Sequence, residues 1–558
     1  MRQRSHLVAA GLGVVVALCL TTALIAGRGG AGQPLPYATP SLGPAVPTAT
    51  PTTPVLEPGE TISFPPVPSP TPTDRSLTSP DRLDSPLPQV SPPGFADPPA
   101  GTGLDRYTSQ TLDWADCTLE GTHGDCATVL VPLDYGAPDA QAITLSLFKR
   151  PATATPYLGT LFVNPGGPGE PGRELAAGNS IDFAKLAGYD IIGWDPRGTG
   201  ESTPVDCGDP SGIDRVLALD STPDTPAATQ ALFDGWKQFG LDCLAHSGPL
   251  LAHVSTQETV ADLDILRGLV GSAKLNYLGY SYGTLIGALY AQTYPGLVGR
   301  MVLDSPVNIT DDDSISQAAG FDQALDTYAA WCARSTCGLG STAPAVIAAI
   351  TALLDQLGTQ PLPAGDRHLT QSLAVDGISL YLYFDESAWT DLTHSIQWAQ
   401  QGDGRYLLAA ADAMWGRDAT GNYALFPAFA AIGCLDSADS GIAGAETDWA
   451  EAKASASVFG TYFGIDATCV QWPVKPVDLP VIHAAGAAPI LVVGATGDPA
   501  TPYAYAPWMA GQLASGVLLT YDGAGHATSF NGRSSCVDTA VAAYLTGARV
   551  PPNGLYCT

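Results

Sequence analysis

The sequence has little positive charge. Its 24 lysines and arginines stand against 54 aspartates and glutamates in 558 residues, which gives a formal net charge of −30. Nucleic acids and anionic membrane surfaces are bound through basic patches, so this composition argues against nucleic-acid partners. A chain of this length can bury a large core, and one or two domains are expected.

Motifs for cofactors are also missing. The eight histidines show no HxxxH pair or other spacing typical of metal ligands, and no nucleotide-binding motif is present. We therefore predict no metal and no cofactor.

The N-terminal segment, residues 1–30, reads as an export leader. Arg2 and Arg4 precede an uncharged, largely apolar run from Leu7 to Ala26, which fits either a cleaved signal peptide or a retained N-terminal membrane anchor. Residues 31–104 are rich in Pro, Thr and Ser and are predicted to be a disordered linker. This linker is interpreted either as a spacer between a folded domain and a membrane or cell wall, or as an inert segment. We expect an extracellular protein, secreted or tethered to the cell surface.

Eleven cysteines fit an exported chain. Cys19 lies within the apolar leader, and the ten others are an even number, which favours a disulfide framework. Pairing cysteines that are near in sequence predicts Cys117–Cys126, Cys207–Cys243, Cys332–Cys337, Cys434–Cys469 and Cys536–Cys557.

The segment Gly279-Tyr-Ser-Tyr-Gly283 lies between a short apolar run, Leu275–Leu278, and a helix-compatible run, Thr284–Tyr294. A serine between two glycines at a strand-to-helix turn is a nucleophile elbow, because the glycines permit the strained backbone that exposes the hydroxyl. Composition alone produces such matches by chance. The assignment of Ser281 as a nucleophile therefore depends on its context.

That context includes an aspartate and a histidine further along the chain, each at the end of a predicted strand. Asp498 follows the apolar run Ala488–Gly494, and His526 follows Gly516–Tyr521. A serine hydroxyl needs an imidazole to take its proton, and the imidazole needs a carboxylate to hold its tautomer. Asp522 is the competing acid, but it lies on the same strand end as His526, so we favour Asp498.

A fourth motif, Asn164-Pro-Gly-Gly-Pro-Gly169, follows another short apolar strand. Acyl transfer builds negative charge on the carbonyl oxygen, and two backbone N–H groups must stabilise it. We predict that one comes from Tyr282, the residue after the nucleophile, and the other from Gly167 rather than Gly166.

Strand and helix patterns alternate along the chain, which predicts a parallel-rich sheet with helices on both faces. Two core segments, residues 105–305 and 487–558, are separated by residues 306–486, which are rich in Ala and Leu at helical spacing and are predicted to form an inserted helical cap. In the loop Asp195–Ser202, we expect Arg197 to tie loops together rather than to contact substrate.

These motifs together resemble the secreted tripeptidyl aminopeptidases of actinobacteria, relatives of the prolyl iminopeptidases within the α/β-hydrolase fold. The resemblance spans roughly residues 113–558 and rests on the motifs at 164–169, 195–202 and 279–283, on Asp498 and His526, and on Ala431–Asp436. One departure is Pro165, which stands where the prolyl iminopeptidases carry a histidine. The resemblance implies an α/β-hydrolase fold and cleavage of short peptides from free N-termini through an acyl-enzyme. We expect the protein to be a monomer.

An aminopeptidase must pair the substrate's ammonium group with a carboxylate. We favour Asp436, where the cap is expected to return to the core; the other candidates are Asp311–Asp313, Asp385, Glu386 and Asp439. Two other functions remain open: a secreted carboxylesterase or lipase that uses the same residues, and a catalytically inactive surface-displayed binding module.

Overall fold

The computed structural model describes residues 94–310, 314–437 and 440–558. The predicted leader and most of the predicted linker lie outside these residues. The described chain forms one eleven-stranded sheet with the order β13-β12-β11-β8-β7-β5-β6-β4-β3-β2, in which β1 pairs with β4. A second sheet is the hairpin β9–β10. The strands are β1 Phe95–Ala96, β2 Ala115–Leu119, β3 Thr122–Pro132, β4 Ala142–Arg150, β5 Gly159–Asn164, β6 Tyr189–Trp194, β7 Leu275–Tyr280, β8 Val298–Asp304, β9 Leu362–Ala364, β10 Arg367–Leu369, β11 Ile490–Gly497, β12 Gly516–Ala524 and β13 Leu555–Cys557.

The sheet has a parallel part and an antiparallel part. Strands β5 to β8 and β11 to β13 are parallel, whereas β1 to β4 pair antiparallel and β4 runs antiparallel to β6. The parallel strands at the centre are almost continuously apolar, as in Gly159–Asn164, because helices cover both of their faces. Their carboxyl ends meet at one edge, where Tyr280 of β7 pairs with Asp304 of β8.

Sixteen α-helices occur in the described residues. They are α1 Asp105–Thr108, α2 Gly172–Ala177, α3 Pro210–Leu217, α4 Pro226–Ser247, α5 Thr256–Leu269, α6 Gly283–Thr293, α7 Gln317–Ser335, α8 Ala343–Thr359, α9 Gln371–Leu382, α10 Glu386–Gln400, α11 Arg405–Met414, α12 Phe426–Asp436, α13 Gly441–Ser455, α14 Phe459–Tyr462, α15 Tyr505–Gln512 and α16 Ser535–Gly547. Helix α5 begins at a capping box, in which Ser255 and Glu258 satisfy each other's backbone N–H groups.

Between β8 and β11 the described chain forms helices α7 to α14 and the β9–β10 hairpin. This region corresponds to the segment 306–486 that the sequence predicts to be a helical cap. Helices α3 and α4 lie within the segment 105–305, yet they also pack against the cap. In one apolar cluster, Leu232 and Phe233 of α4 lie with Ala445 of α13 and Ile465. The cover over the core therefore comes from two separate parts of the chain.

Arg197 ties loops together, as predicted. Its guanidinium is fully buried and forms a two-point ion pair with Asp262 of α5, at 2.7 and 2.6 Å. It also donates to the backbone carbonyls of Pro132, Leu133 and His253. One side chain thus joins the end of β3, the loop after β6 and the start of α5.

All five predicted disulfide pairs are present in the structure. Cys207–Cys243 ties α4 to the chain before α3, and Cys434–Cys469 ties α12 to the segment after α14. Over the described ranges, the structure has no helix that is both long and apolar enough to cross a membrane.

Candidate active site

Ser281 lies at the sharp turn between β7 and α6. Its backbone has φ 53°, a value that few residues other than glycine adopt, and its N–H donates to the carbonyl of Asp304 at 3.0 Å. The flanking glycines are required by close packing. A Cβ on Gly279 would come within 2.5 Å of the Gly283 carbonyl oxygen, and one on Gly283 within 2.7 Å of the Asn164 side chain. The strained elbow expected from the sequence is therefore present.

His526 and Asp498 form a buried pair. Nδ1 of His526 lies 2.9 and 3.0 Å from the two carboxylate oxygens of Asp498. The carboxylate also accepts hydrogen bonds from the N–H groups of Ala500 and Thr501 and from the Thr501 hydroxyl, at 2.9 to 3.0 Å. Burial by itself raises the pKa of Asp498, but the charge of His526 and these hydrogen bonds outweigh it and leave the pKa below its ordinary value. Asp498 is thus held as an anion.

The competing acid, Asp522, is directed elsewhere. It is exposed and accepts a hydrogen bond from the Thr496 hydroxyl at 3.0 Å. With Nδ1 bonded to Asp498, the imidazole leaves Nε2 as its acceptor. Nε2 is buried and has no hydrogen-bond partner among the described residues, and both His526 and Ser281 line the same cavity. Such an imidazole is arranged to take a proton from a hydroxyl.

Asp304 and Ser305 support the site, and the sequence analysis did not identify them. The buried carboxylate of Asp304 accepts the N–H groups of Thr528 and Ser529, at 3.1 and 2.7 Å. The Ser305 hydroxyl accepts the N–H of Ala527 at 2.8 Å. These bonds hold the loop after His526 against the end of β8. An aspartate at the end of the strand beside the nucleophile strand was the available signal.

The loop Asn164–Gly169 lies against the elbow. A Cβ on Gly166 would be 2.9 Å from the Cβ of Ser281 and 3.2 Å from the backbone nitrogen of Tyr282. The N–H of Gly166 is used internally, because it donates to the Asn164 side chain at 3.0 Å. The N–H groups of Gly167 and Tyr282 donate to no other described residue, and both residues line the cavity.

A cavity of about 680 Å³ extends from Ser281 between the core and the cap. A volume of this size is typical of sites for small ligands. Apolar residues of its wall include members of α3, α4, α9, α12 and the segment after α14: Val216, Leu217, Leu232, Trp236, Val375, Phe426, Phe429, Phe463 and Ile465. The contribution of α3 and α4 was not expected from the sequence.

Asp436, the predicted ammonium ligand, does not line this cavity. Its carboxylate accepts the backbone N–H of Thr256 at 3.0 Å and also bonds the Thr256 hydroxyl, which in turn bonds the hydroxyl of Tyr282. Burial raises the pKa of Asp436 to about 7. The structure therefore places Asp436 at the N-terminus of α5, where it supports the elbow through Thr256.

The other candidates for the ammonium ligand do not reach the cavity either, as far as the structure describes them. Asp385 caps α10 through the N–H of Ser387 at 3.0 Å, and Glu386 is the first residue of that helix. Neither lines the cavity. Asp311–Asp313 and Asp439 lie outside the described residues.

Three other carboxylates do line the cavity: Glu170, Asp376 and Asp466. Glu170 is buried and directly follows the Gly-rich loop, whereas Asp466 is exposed and accepts the N–H of Thr468. Asp376 projects from α9 and accepts the indole N–H of Trp415 at 2.8 Å. Removal from bulk water raises the pKa of Asp376 to about 7. No sequence motif distinguishes these carboxylates from others in the chain.

A serine hydroxyl at an elbow, in the same cavity as an imidazole held by a buried carboxylate, can open carboxylic esters and amides through a covalent acyl group. Together with the parallel sheet order, this arrangement assigns the chain to the serine hydrolases of the α/β-hydrolase fold.

Comparison with known proteins specifies the family. The profile of the family described as "TAP-like protein" matches residues 456–557. The chain is 36% identical to the serine protease Hip1 of Mycobacterium tuberculosis over 478 residues, which covers 80% of this chain and 91% of Hip1. It is 35% identical to carboxylesterase B of the same species, covering 84% of this chain and 95% of that protein. It is 30% identical to the tripeptidyl aminopeptidase of Streptomyces lividans, covering 81% and 87%. The chain belongs to the tripeptidyl aminopeptidase-like family of α/β-hydrolases.

Proposed function

We propose that this protein is an exported serine exopeptidase that releases short peptides, of about three residues, from free N-termini. The observation that carries this proposal is the covered cavity. Ser281 and His526 line it together with residues of α3, α4 and the helices between β8 and β11. A cavity of about 680 Å³ bounded by these helices accepts a chain end more readily than the middle of a folded polypeptide.

In the first half of the reaction, Nε2 of His526 takes the proton from the Ser281 hydroxyl as Oγ attacks the substrate carbonyl carbon. The carbonyl π pair moves to oxygen, and the N–H groups of Gly167 and Tyr282 donate hydrogen bonds to the resulting anion. The C–N bond then breaks, and the imidazolium returns its proton to the leaving amine. Asp498 stabilises the imidazolium and holds its tautomer throughout.

In the second half, His526 takes a proton from water, and the hydroxide oxygen attacks the acyl carbon on Ser281. The ester bond breaks, Ser281 regains its proton from the imidazolium, and the short peptide leaves as a carboxylic acid. That acid loses its proton to solvent, and His526 and Ser281 return to their starting protonation states.

Export is supported by the five disulfides, which persist in oxidising compartments. Attachment to the membrane or cell wall through residues 1–104 stays a prediction, because most of these residues lie outside the described part of the chain.

The second candidate function is a carboxylesterase. A relative that is 35% identical bears the name carboxylesterase B, and the same three side chains open esters as well as amides. The two functions differ in whether a free amine matters, because an esterase has no use for a cavity carboxylate that binds ammonium.

A matched substrate panel tests the proposal. It compares tripeptide anilides with a free amine, the same peptides with an acetylated amine, single amino-acid anilides and a short-chain nitrophenyl ester, with Ser281→Ala as the control. Turnover of the free-amine peptides alone, lost in Ser281→Ala, supports the exopeptidase. Ester hydrolysis without any preference for a free amine makes the protein a carboxylesterase.

A further inference from the structure

Helix α9 (Gln371–Leu382) carries a row of polar side chains along the cavity. Asp376, Ser379 and Tyr383 all line it, at positions i, i+3 and i+7. Residues at these spacings share one face of a helix. Ser372 and Val375 of α9 line the cavity as well, whereas Leu373, Ala374, Ile378 and Leu380 are buried in the apolar interior of the cap. The polar row is therefore directed at whatever enters the cavity.

Asp376 and Ser379, the N-terminal part of this row, have hydrogen-bonding capacity that the protein does not use. The Ser379 hydroxyl is buried, with 2% of the residue exposed, and it has no hydrogen-bond partner among the described residues. One oxygen of Asp376 accepts the Trp415 indole N–H at 2.8 Å, and no described side chain is hydrogen-bonded to the other. An unsatisfied buried hydroxyl is costly, which makes it a sign of a missing partner.

Tyr383, at the C-terminal end of the row, contacts His526. The carbonyl of Tyr383 accepts the backbone N–H of His526 at 2.9 Å, and the two rings pack edge to face with centroids 5.2 Å apart. These contacts place Tyr383, just after the C-terminal end of α9, beside His526.

The spacing along α9 matches a short peptide. Asp376 and Tyr383 are separated by seven residues, which at about 1.5 Å per residue is roughly 10 Å along the helix axis. An extended peptide advances about 3.3–3.6 Å per residue, so its third carbonyl carbon lies roughly 10 Å from its amino nitrogen. A dipeptide falls short by about one residue length, and a tetrapeptide exceeds the distance by as much.

We propose that Asp376 and Ser379 form the subsite for the substrate's terminal ammonium group, and that its distance from His526 along α9 sets cleavage after the third residue. The inference rests on the proposed exopeptidase function and names the residues that give it its specificity. The ammonium donates to the Asp376 carboxylate and to the Ser379 oxygen, while the Trp415 N–H holds the carboxylate in place. Glu170, which lies beside the Gly-rich loop, is the competing carboxylate.

The test uses the purified protein and a ratio: kcat/KM for a free-amine tripeptide anilide divided by kcat/KM for its N-acetyl form. Asp376→Asn is expected to lower this ratio on the order of 10²-fold, through a higher KM for the free-amine peptide, because it removes one partner of a shielded ion pair. Turnover of the acetylated peptide and of a nitrophenyl ester, which carry no ammonium group, is expected to change much less than turnover of the free-amine peptide. Ser379→Ala is expected to lower the ratio by about two- to tenfold, the effect of one neutral hydrogen bond.

Three results would overturn the assignment. If Asp376→Asn lowers turnover of free and acetylated peptides equally, its role is structural. If the ratio survives Asp376→Asn but collapses in Glu170→Gln, the ammonium binds at Glu170 and the spacing argument is wrong. If the wild-type protein shows no preference for a free amine, the exopeptidase function itself fails, and this subsite with it.

Two further measurements keep the test decisive. If Asp376→Asn does not fold, the test uses Ser379→Ala and Asp376→Glu instead. Ser379→Ala leaves the Asp376 carboxylate in place, and Asp376→Glu keeps a carboxylate at that position. A series of free-amine di-, tri- and tetrapeptide anilides measures the spacing directly. Faster turnover of the di- or tetrapeptide by the wild type would contradict the proposed distance.

Discussion

On the core side of the cavity, Asp498 accepts three hydrogen bonds from Ala500 and Thr501 in addition to its contact with His526. On the cap side, Asp376 accepts one hydrogen bond, from Trp415, and Ser379 has none among the described residues. The Asp498 and Asp376 carboxylates thus differ in how fully the protein satisfies their hydrogen-bonding capacity. Groups that must be oriented before substrate arrives are held by backbone bonds, whereas groups that bind substrate keep unused capacity.

The largest effect is expected from a substitution of Asp498. Asp498→Asn removes the charge that stabilises the imidazolium and favours the wrong tautomer of His526, so kcat is expected to fall by about 10⁴-fold. Steady-state kinetics on a free-amine tripeptide anilide measures this. Asp522→Asn is the matched control, because Asp522 is exposed and contacts Thr496 instead of His526. Equal losses in the two variants would contradict the assignment of the acid.

The next largest effect is expected from breaking the buried ion pair between Arg197 and Asp262. Asp262→Ala leaves the Arg197 guanidinium, which is fully buried, without its partner, and is expected to cost about 3–5 kcal/mol of unfolding free energy. Asp264→Ala, two residues away on α5, breaks a more exposed pair with Arg267 and is expected to cost about 1 kcal/mol. Urea unfolding compares them. A similar loss in both variants would mean that Arg197 is stabilised mainly by its bonds to carbonyl groups.

A smaller loss of activity is expected from crowding the elbow. Gly166 has φ +111°, and an added Cβ would lie 2.7 Å from the Tyr280 carbonyl oxygen and 2.9 Å from the Cβ of Ser281. Gly166→Ala should displace the elbow or the Gly-rich loop, and displacements near 1 Å cost about 10²-fold in rate. Gly159→Ala, with φ +95° but open space around it, controls for backbone strain alone. Full activity in Gly166→Ala would contradict the tight approach of loop and elbow.

The smallest effect is expected at Asp376, in the pH dependence of the protein's stability. The folded protein raises the pKa of Asp376 from 3.8 to about 7, so the folded state binds its proton more tightly than the unfolded state. Stability from this group is present below about pH 4 and is lost as pH rises toward 7. Asp376→Asn should therefore gain a few °C in Tm over the wild type across that window, measured by thermal unfolding. A Tm difference that is independent of pH would show that the carboxyl is well solvated.

Much of the catalytic side was predictable from sequence. The strands that carry Ser281, Asp498 and His526 are short apolar runs that end in turn residues, and their order along the chain is that of the fold. The disulfide partners were predictable because each pair is near in sequence. Asp304 and Ser305 were missed, because their contacts with the loop after His526 join residues more than 220 positions apart in the chain.

The cap side was much less predictable. Asp436 belongs to a segment typical of the family, yet its carboxylate caps α5 by bonding Thr256, 180 residues away in sequence. Helices α3 and α4 were assigned to the core, although they line the cavity together with the cap. In both cases the deciding contacts join elements that are far apart in the chain.

The sequence by itself determined the fold class, the nucleophile elbow and the chain order of serine, acid and base, because these depend on local periodicity and on turn residues at strand ends. Only the tertiary structure decided which cap carboxylates line the cavity that contains Ser281. That choice depends on how α9 is rotated and packed against α8, α11 and the apolar cap interior. Many acidic residues in the cap are equivalent in sequence, and packing separates Asp376, which lines the cavity, from Asp436, which supports a helix.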